Sequence, residues 1–323
     1  MFRTELHIEP SANKVGLQTP ILTLGSCFSN NIASKLASNK IPVLANPFGT
    51  IYNPISIFKL LDQACNKEYP SKEAIVENDG LFAHYDFHSS FSKSNESEVI
   101  TAINEAVDDT HTFLETTQFL IITLGTAFVY EVGSTSEVVA NCHKVPSRNF
   151  NKKLLTQTQI LEAFKKTHQT LSKAYPHLQI ILTVSPVRHT KDTIPLNSVS
   201  KSTLRLSCHT LENQYDNVNY FPSYELLIDD LRDYRFYKSD MLHPSSDAED
   251  YIWNKFSTTY IDDSSLGFIK EWTKIKTAID HKPFNPLSDK HQQFIKSTIK
   301  KIEALSKSVN CEDELHSLKR QLI

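Results

Sequence analysis

The chain has 323 residues, 40% hydrophobic and 22% charged, so it can bury a large core, and one large domain with an appendage is expected. Its 34 Lys and Arg against 37 Asp and Glu give a net charge of −3, and with no sustained basic block nucleic acid is not an expected partner. Five cysteines (27, 65, 142, 208 and 311) without a CxxC pair predict free thiols, and the 7 glycines form neither GxGxxG nor GxxxxGK[ST].

The opening "MFRTELHIEPSANK" is polar and no later segment reads as a bilayer span, so no signal peptide or membrane association is predicted and a cytoplasmic location is the expectation. The first apolar run, "ILTL" at 21–24, reads as a buried strand; it meets Gly25, Ser26 and Cys27 and passes directly into a helix with Phe28, Ile32 and Leu36 four apart on one face. A second strand is read at 41–45, and Asn53 followed by Pro54 is an N-cap and first-turn pair opening "ISIFKLLDQAC". A polar insertion (66–97) and a helix (98–114) lead to a strand at 119–125. A second insertion (126–150) contains a short hairpin, "FVYEV" and "EVVANC", outside the main sheet. Helix 157–174, strand 179–185, helix 198–214 and strand 218–221 complete the alternation.

Strand alternating with helix predicts an α/β fold with a parallel sheet covered on both faces, and the two insertions are expected to decorate a site. After about residue 262 only helical patterns remain, broken by "HKPFNPLS". The chain therefore divides into 1–262 and a helical appendage, 263–323, whose amphipathic stripes are expected to pack on the core.

Two features carry possible chemistry. A residue at the carboxyl end of a parallel strand points into the crevice where open α/β sheets place ligands. Cys27 would lie there, near a helix N-terminus whose partial positive charge favours thiolate. The structural alternative makes Ser26 a helix cap and Cys27 a small core residue. Far away, "YRFYKSDMLHPSS" sets Asp240 three residues before His243. The carboxylate can there accept a hydrogen bond from one ring nitrogen and leave the other as a general base, with Pro244 restricting His243 to extended backbone. Its alternative is Asp240 as N-cap of the helix at "DAEDYIWNKF". Together the two features make a nucleophilic triad in a fixed chain order.

His143, Arg188 and His189 follow strand or hairpin ends, where they can contact an anionic or polyol substrate or serve structural roles. His84, Asp86 and His88 form a local HxDxH that reads as a polar strand face, so no metal and no cofactor are predicted.

The chain resembles the GSCFA family of the GDSL or SGNH hydrolase superfamily. The resemblance rests on "GSCFS" at 25–29, "NPFGTIYNP" at 46–54, "FHSSF" at 87–91, "TLGTAFVYE" at 123–131, "NCHKVP" at 141–146, "SPVRH" at 185–189 and "LRDYRFYKSDMLHPS" at 231–245, and it spans about residues 20 to 260. It implies a three-layer α/β/α sandwich with a flavodoxin-like parallel sheet, and an activity among ester or thioester hydrolysis, carbohydrate deacetylation and acyl transfer. In register with the superfamily's first block, Gly-Asp-Ser, Cys27 takes the nucleophile position, with Ser26 the competitor one residue away. Asp240 and His243 match the last block. Gly49 stands in for the oxyanion glycine of the second block, while "GTAF" puts Ala127 where the third block has asparagine. Thr126, Asn46 or Asn141 is then the expected substitute donor. The functional expectation is an esterase, deacetylase or acyltransferase acting on a small-molecule or carbohydrate acyl ester through a covalent acyl enzyme. The alternatives are a carbohydrate- or ligand-binding module that keeps the fold without the chemistry, and a protein whose function lies in the C-terminal helices.

Overall fold

The computed structural model describes residues 3–322. In chain order, β1 (Ile21–Gly25), α1 (Cys27–Ser38), β2 (Val43–Ala45) and α2 (Pro54–Asn66) are followed by a hairpin, β3 (Ile75–Asn78) and β4 (Leu81–His84), and by α3 (Glu96–Leu114). Then come β5 (Phe119–Leu124), β6 (Phe128–Val132), β7 (Val138–Val139), β8 (Phe150–Leu154), α4 (Gln157–Ala174), β9 (Gln179–Val184), α5 (Ile194–Gln214) and β10 (Val218–Tyr220). A short α6 (Ser223–Glu225) runs into a π-helical turn, Leu226–Leu231, before α7 (Ser246–Tyr260), α8 (Asp263–Ile279), α9 (Asp289–Leu305) and α10 (Glu312–Lys319). Among the described residues no helix is long and apolar enough to cross a membrane.

Five strands pair in parallel in the order β2-β1-β5-β9-β10. Alternate side chains along each strand enter opposite cores, as the pleat requires. Leu22, Leu120, Ile122 and Leu182 join α2, α3, α4 and α5 in one cluster. Ile21, Phe119, Ile121 and Ile181 join α1 and α7 in the other. The result is the three-layer α/β/α sandwich that the apolar runs predict, since both faces of those strands are buried. Order reverses at β1, between β2 on one side and β5 on the other, so the carboxyl ends of β1 and β5 flank a topological switch point, where such sheets hold ligands.

Local signals explain the elements around that point. Pro54 opens α2 and Asn53 caps it, its side chain accepting from the Ser56 amide at 2.9 Å. Phe28, Ile32 and Leu36 form the buried stripe of α1. Ser26 occupies that helix's N-cap position, yet its side chain makes no capping hydrogen bond. The cap of α7 is Ser245 rather than Asp240. The 126–150 insertion is larger than the hairpin expected there: β8 adds to the far edge of β6, giving a three-stranded antiparallel sheet β7-β6-β8. The 66–97 insertion contains the β3–β4 hairpin, which its polar composition does not advertise.

The C-terminal helices share a cluster centred on the fully buried Trp272, Ile295 and Ile302. They meet the sandwich at the end of α1, where Trp272 Nε1 donates to Ser38 O at 2.9 Å and Lys40 pairs with Glu314 at 2.7 Å.

One backbone position controls the β1–α1 corner. Gly25 has φ +129°, and a Cβ there would stand 2.1 Å from the Thr123 carbonyl oxygen on β5. Neither the torsion nor the approach admits a side chain. Gly25→Ala is therefore expected to destabilise the protein by about 3 kcal/mol or more in urea unfolding; a loss below about 1 kcal/mol would mean that the two strands separate at little cost.

Candidate functional site

The turn at Gly25 makes Cys27 the first residue of α1, at the carboxyl end of β1. Its Sγ lies 3.6 Å from His243 Nε2. The other ring nitrogen, Nδ1, is 2.7 Å from Asp240 Oδ2. A carboxylate only accepts, so Nδ1 carries the proton and donates, leaving Nε2 as an acceptor facing the thiol. Asp240 is held by its own turn: Oδ1 accepts from the Leu242 and His243 amides at 2.8 and 3.0 Å. The His243 and Leu242 amides, then the His243 ring, lower the Asp240 pKa to about 2. The segment is tied down by the Lys238 amide donating to His243 O (2.8 Å) and the Ser245 amide donating to Phe236 O (2.8 Å).

Burial raises the pKa of Cys27. The Phe28 and Cys27 amides at the start of α1, and more distantly Lys201 and Lys238, pull it back down without overcoming the desolvation. The expected helix-terminus effect therefore has the right sign but loses to burial, and the resting group is a thiol. Ser26 lies the other way. It is fully buried, and its Oγ has no hydrogen-bond partner.

A cavity of about 720 Å³ opens in front of Cys27 and His243, walled on its far side by the β6–β8 insertion. Thr126, Asn141 and Arg188 line it, as does His189. The Thr126 hydroxyl shares a hydrogen with Ser200 Oγ at 3.1 Å, and Asn141 Oδ1 accepts from the His143 amide at 2.9 Å, fixing the orientation of its side-chain amide. Arg188 has no carboxylate partner among the described residues; its guanidinium lies 4.1 Å above the Tyr237 ring. Burial first, then Lys201 and His243, lower the His189 pKa to about 4; its Nε2 is unpartnered.

Three other expected site residues lie outside this lining. The Gly49 amide is already donated to Asn46 O at 2.7 Å, and a Cβ at Gly49 would meet His88 Cβ at 2.3 Å, so this glycine serves a tight loop crossing. Asn46 braces the corner from behind: Oδ1 accepts from the Gly25 amide at 2.8 Å, and Nδ2 donates to Asn30 Oδ1 at 2.7 Å. His143 turns inward, its Nε2 2.8 Å from His84 O, and burial lowers its pKa. His84 and Asp86 of the HxDxH stay in contact, the Asp86 amide donating to His84 Nδ1 at 3.1 Å. His84 is buried against Ser71 O, Asp86 pairs with Lys59 at 2.7 Å, and His88 reaches the cavity rim. The described residues contain no group of three or more His, Cys, Asp or Glu able to hold a metal ion.

Several cavity neighbours carry little sequence signal. Lys201 is fully buried on α5 and donates to Gly125 O and Ser185 O, both at 2.7 Å, so one ammonium ties the carboxyl ends of β5 and β9 below the site. Burial lowers its pKa to about 7. Its position is legible in retrospect, because 197, 201, 204, 208 and 211 form the inward stripe of α5 and only one of them is a lysine. Tyr52, Cys142, Lys144 and Lys191 line the cavity from loops whose paths local patterning does not predict.

Fold and cavity thus define an α/β/α sandwich protein with a Cys-His-Asp cluster at its strand switch point. The chain belongs to the GSCFA family: the family's sequence model matches residues 20–256, and that of the GSCFA domain protein C-terminal domain matches residues 272–323. Solved structures with some likeness include a carbohydrate esterase family 3 protein from Talaromyces cellulolyticus, at 8% identity and TM-score 0.35, over 79% of this chain and 99% of that one. A carbohydrate esterase family 2 enzyme from Corynascus thermopiles (Myceliophthora fergusii) matches at 13% identity and TM-score 0.40, over 81% and 70%. The acetyl xylan esterase Est2A from Butyrivibrio proteoclasticus matches at 11% and 0.34, over 81% and 66%. Likenesses this loose transfer no activity. No curated protein matches the sequence.

Because burial raises the Cys27 pKa, the thiolate fraction should grow only at higher pH than for free cysteine. The pH profile of iodoacetamide labelling at Cys27, followed by peptide mapping, is expected to have its midpoint above the free-cysteine value of about 8.5. A midpoint below neutrality would show a resting thiolate.

Proposed function

We propose that the protein is an acyl-group enzyme in which Cys27 attacks an ester or thioester carbonyl, His243 moves the proton and Asp240 orients and stabilises the imidazole. The observation that carries this reading is the continuous path from Cys27 Sγ to His243 Nε2 (3.6 Å) and from His243 Nδ1 to Asp240 (2.7 Å), open to a cavity large enough for a small ester.

The resting thiol makes the histidine necessary. As Sγ bonds to the acyl carbon its proton passes to Nε2, and the imidazolium that forms is stabilised by a carboxylate that stays ionised down to a pH of about 2. The carbonyl oxygen becomes an oxyanion. At the first turn of α1 the Ser29 amide donates to Ser26 O at 2.8 Å, whereas the Cys27 and Phe28 N–H groups lie against Sγ, beside the carbon it attacks. Thr126 and Asn141 supply the side-chain donors on the cavity wall, in place of the asparagine that Ala127 replaces. Collapse of the tetrahedral species expels the alcohol or thiol, which takes the proton from Nε2 and leaves a Cys27 thioester. Water or an acceptor alcohol, deprotonated by the same nitrogen, then releases the acyl group. Tyr52, Phe128 and Tyr130 give the cavity flat apolar surface suited to a sugar or aryl ring.

Intact-mass spectrometry after brief exposure to an activated acetyl ester, and separately to an acetyl thioester, tests the reading. One acetyl group mapped to Cys27 is expected. His243→Ala should slow its formation by about 10²- to 10⁴-fold, the usual span for a lost general base. An adduct on Ser26 would transfer the nucleophile's role to that residue. No adduct and no turnover with either donor would leave a ligand-binding protein.

A further inference from the structure

The far lobe of the cavity carries a charge that the chain as a whole does not. Overall the protein is net negative, at −3. Yet the charged side chains lining the cavity are Lys144, Arg188, Lys191 and Asp192, and the single acid among them is ion-paired with Lys152 from β8. Lys144 and Lys191 have no carboxylate partner among the described residues, and Arg188 meets the Tyr234 and Tyr237 side chains and, at 3.5 Å, the Met241 carbonyl, none of them a carboxylate. Burial raises the pKa of Cys142 and lowers that of Lys152, and in each the Lys191 charge adds a smaller downward pull, so Lys191 lies near the aromatic wall where Lys152 sits 4.7 Å from the Phe128 ring. Cations kept unpaired around a concave, partly apolar surface raise the local concentration of anions and favour a ligand that brings its own counter-charge.

We propose that the ligand of this cavity bears a carboxylate or phosphate on the part remote from the scissile acyl bond, held by Lys144 and Lys191 with Arg188 guiding it past His243. As a statement about substrate this rests on the acyl-enzyme reading of Cys27; as a statement about binding it does not. The neutral end of the ligand lies against Tyr52 and His189 beside the thiol, and the charged end reaches the insertion that 126–154 builds around the sandwich.

Two measurements separate the ideas. Alkylation of Cys27 by iodoacetate is compared with alkylation by neutral iodoacetamide, each normalised to free cysteine, which needs no enzymatic turnover. The iodoacetate to iodoacetamide ratio is expected to exceed that of free cysteine by about fivefold or more at low salt, and to fall towards it in about 0.5 M NaCl. It should fall likewise in Lys144→Gln/Lys191→Gln. Both lysines are exposed, and the salt series on the unaltered protein covers the case of a variant that fails to fold.

In parallel, kcat/KM is measured for the acetyl esters of hydroxybutanoate, hydroxyethyl phosphate and the neutral hydroxybutanamide. A preference of about tenfold for one of the anionic esters, expressed in KM and lost in the double variant, is expected, and the better of the two identifies the anion. Equal ratios and equal turnover would overturn the proposal. An alkylation bias without turnover of any ester would uphold the anion site and overturn the acyl-enzyme reading. Turnover without bias would do the reverse.

Discussion

The contact on which the site depends is the approach of Gly25 to the Thr123 carbonyl. Because Gly25 has no side chain, β1 can end pressed against β5 and turn sharply, with the Ser26 amide donating to Thr123 O at 3.0 Å. That bond fixes where α1 begins. Asn46 completes the corner from the other side by accepting the Gly25 amide, and the Gly25 carbonyl accepts from Ile51 at 3.0 Å. With the Gly25 amide and carbonyl and the Ser26 amide committed, Ser26 faces inward and Cys27 outward, towards His243. Of the two side chains, Sγ borders the cavity and Oγ does not, which is why the proposed reaction assigns the attack to Cys27.

Below this corner opposing electrostatic effects meet at Cys27, and burial prevails. Lys201 is a fully buried cation satisfied by two carbonyl oxygens, and its field and the amides of α1 both favour a thiolate at Cys27. Desolvation of the sulfur opposes them and is larger. A thiol held neutral next to a free imidazole nitrogen differs from a permanent thiolate–imidazolium pair in one mechanical respect: in the proposed reaction, proton transfer accompanies attack instead of preceding it. Asp240 suits that order, because a carboxylate held by two backbone amides remains charged and in place while the imidazole beside it changes protonation state.

The sandwich was legible because its strands are buried on both faces. Runs such as "FLIITLG" and "QIILTVS" need no partner information to be read as central strands, and β5 and β9 fall within them. Helix starts marked by Asn53-Pro54 were legible for the same local reason. The Asp240–His243 pair was readable from its spacing of three, and its approach to Cys27, 216 residues from the imidazole, was expected from the order of motifs that carries the family resemblance. What local pattern could not supply was the direction of side chains in irregular segments. Gly49, Asn46 and His143 sit in motifs that surround the site, yet their polar groups are spent on bracing: the Gly49 amide on Asn46 O, the Asn46 side chain on Gly25 and Asn30, and the His143 ring on His84 O. The β3–β4 hairpin and the third strand of the insertion sheet were missed because their polar, exposed faces lack the alternation that marks a half-buried strand.

Ala127 shows what the core imposes at the position where the resemblance to the SGNH superfamily would lead one to expect asparagine. It is fully buried, and its amide donates to Ser200 Oγ at 2.8 Å. An asparagine at that position would have to bury an amide among Leu124, Val129 and Leu155, with a lone hydroxyl nearby as partner. In the proposed function the donor role falls instead to Thr126, one residue back and hydrogen-bonded to the same Ser200, and to Asn141 on the insertion. The insertion then does more than cover the sheet. It brings the substitute donor, the aromatic wall and Lys144 to one side of the cavity, while the loop after β9 brings Arg188, His189 and Lys191 to the other. In the proposed function, oxyanion stabilisation and ligand choice consequently depend on the same loops, so a change in the insertion that altered which ligand fits would also shift the donor that supports the chemistry.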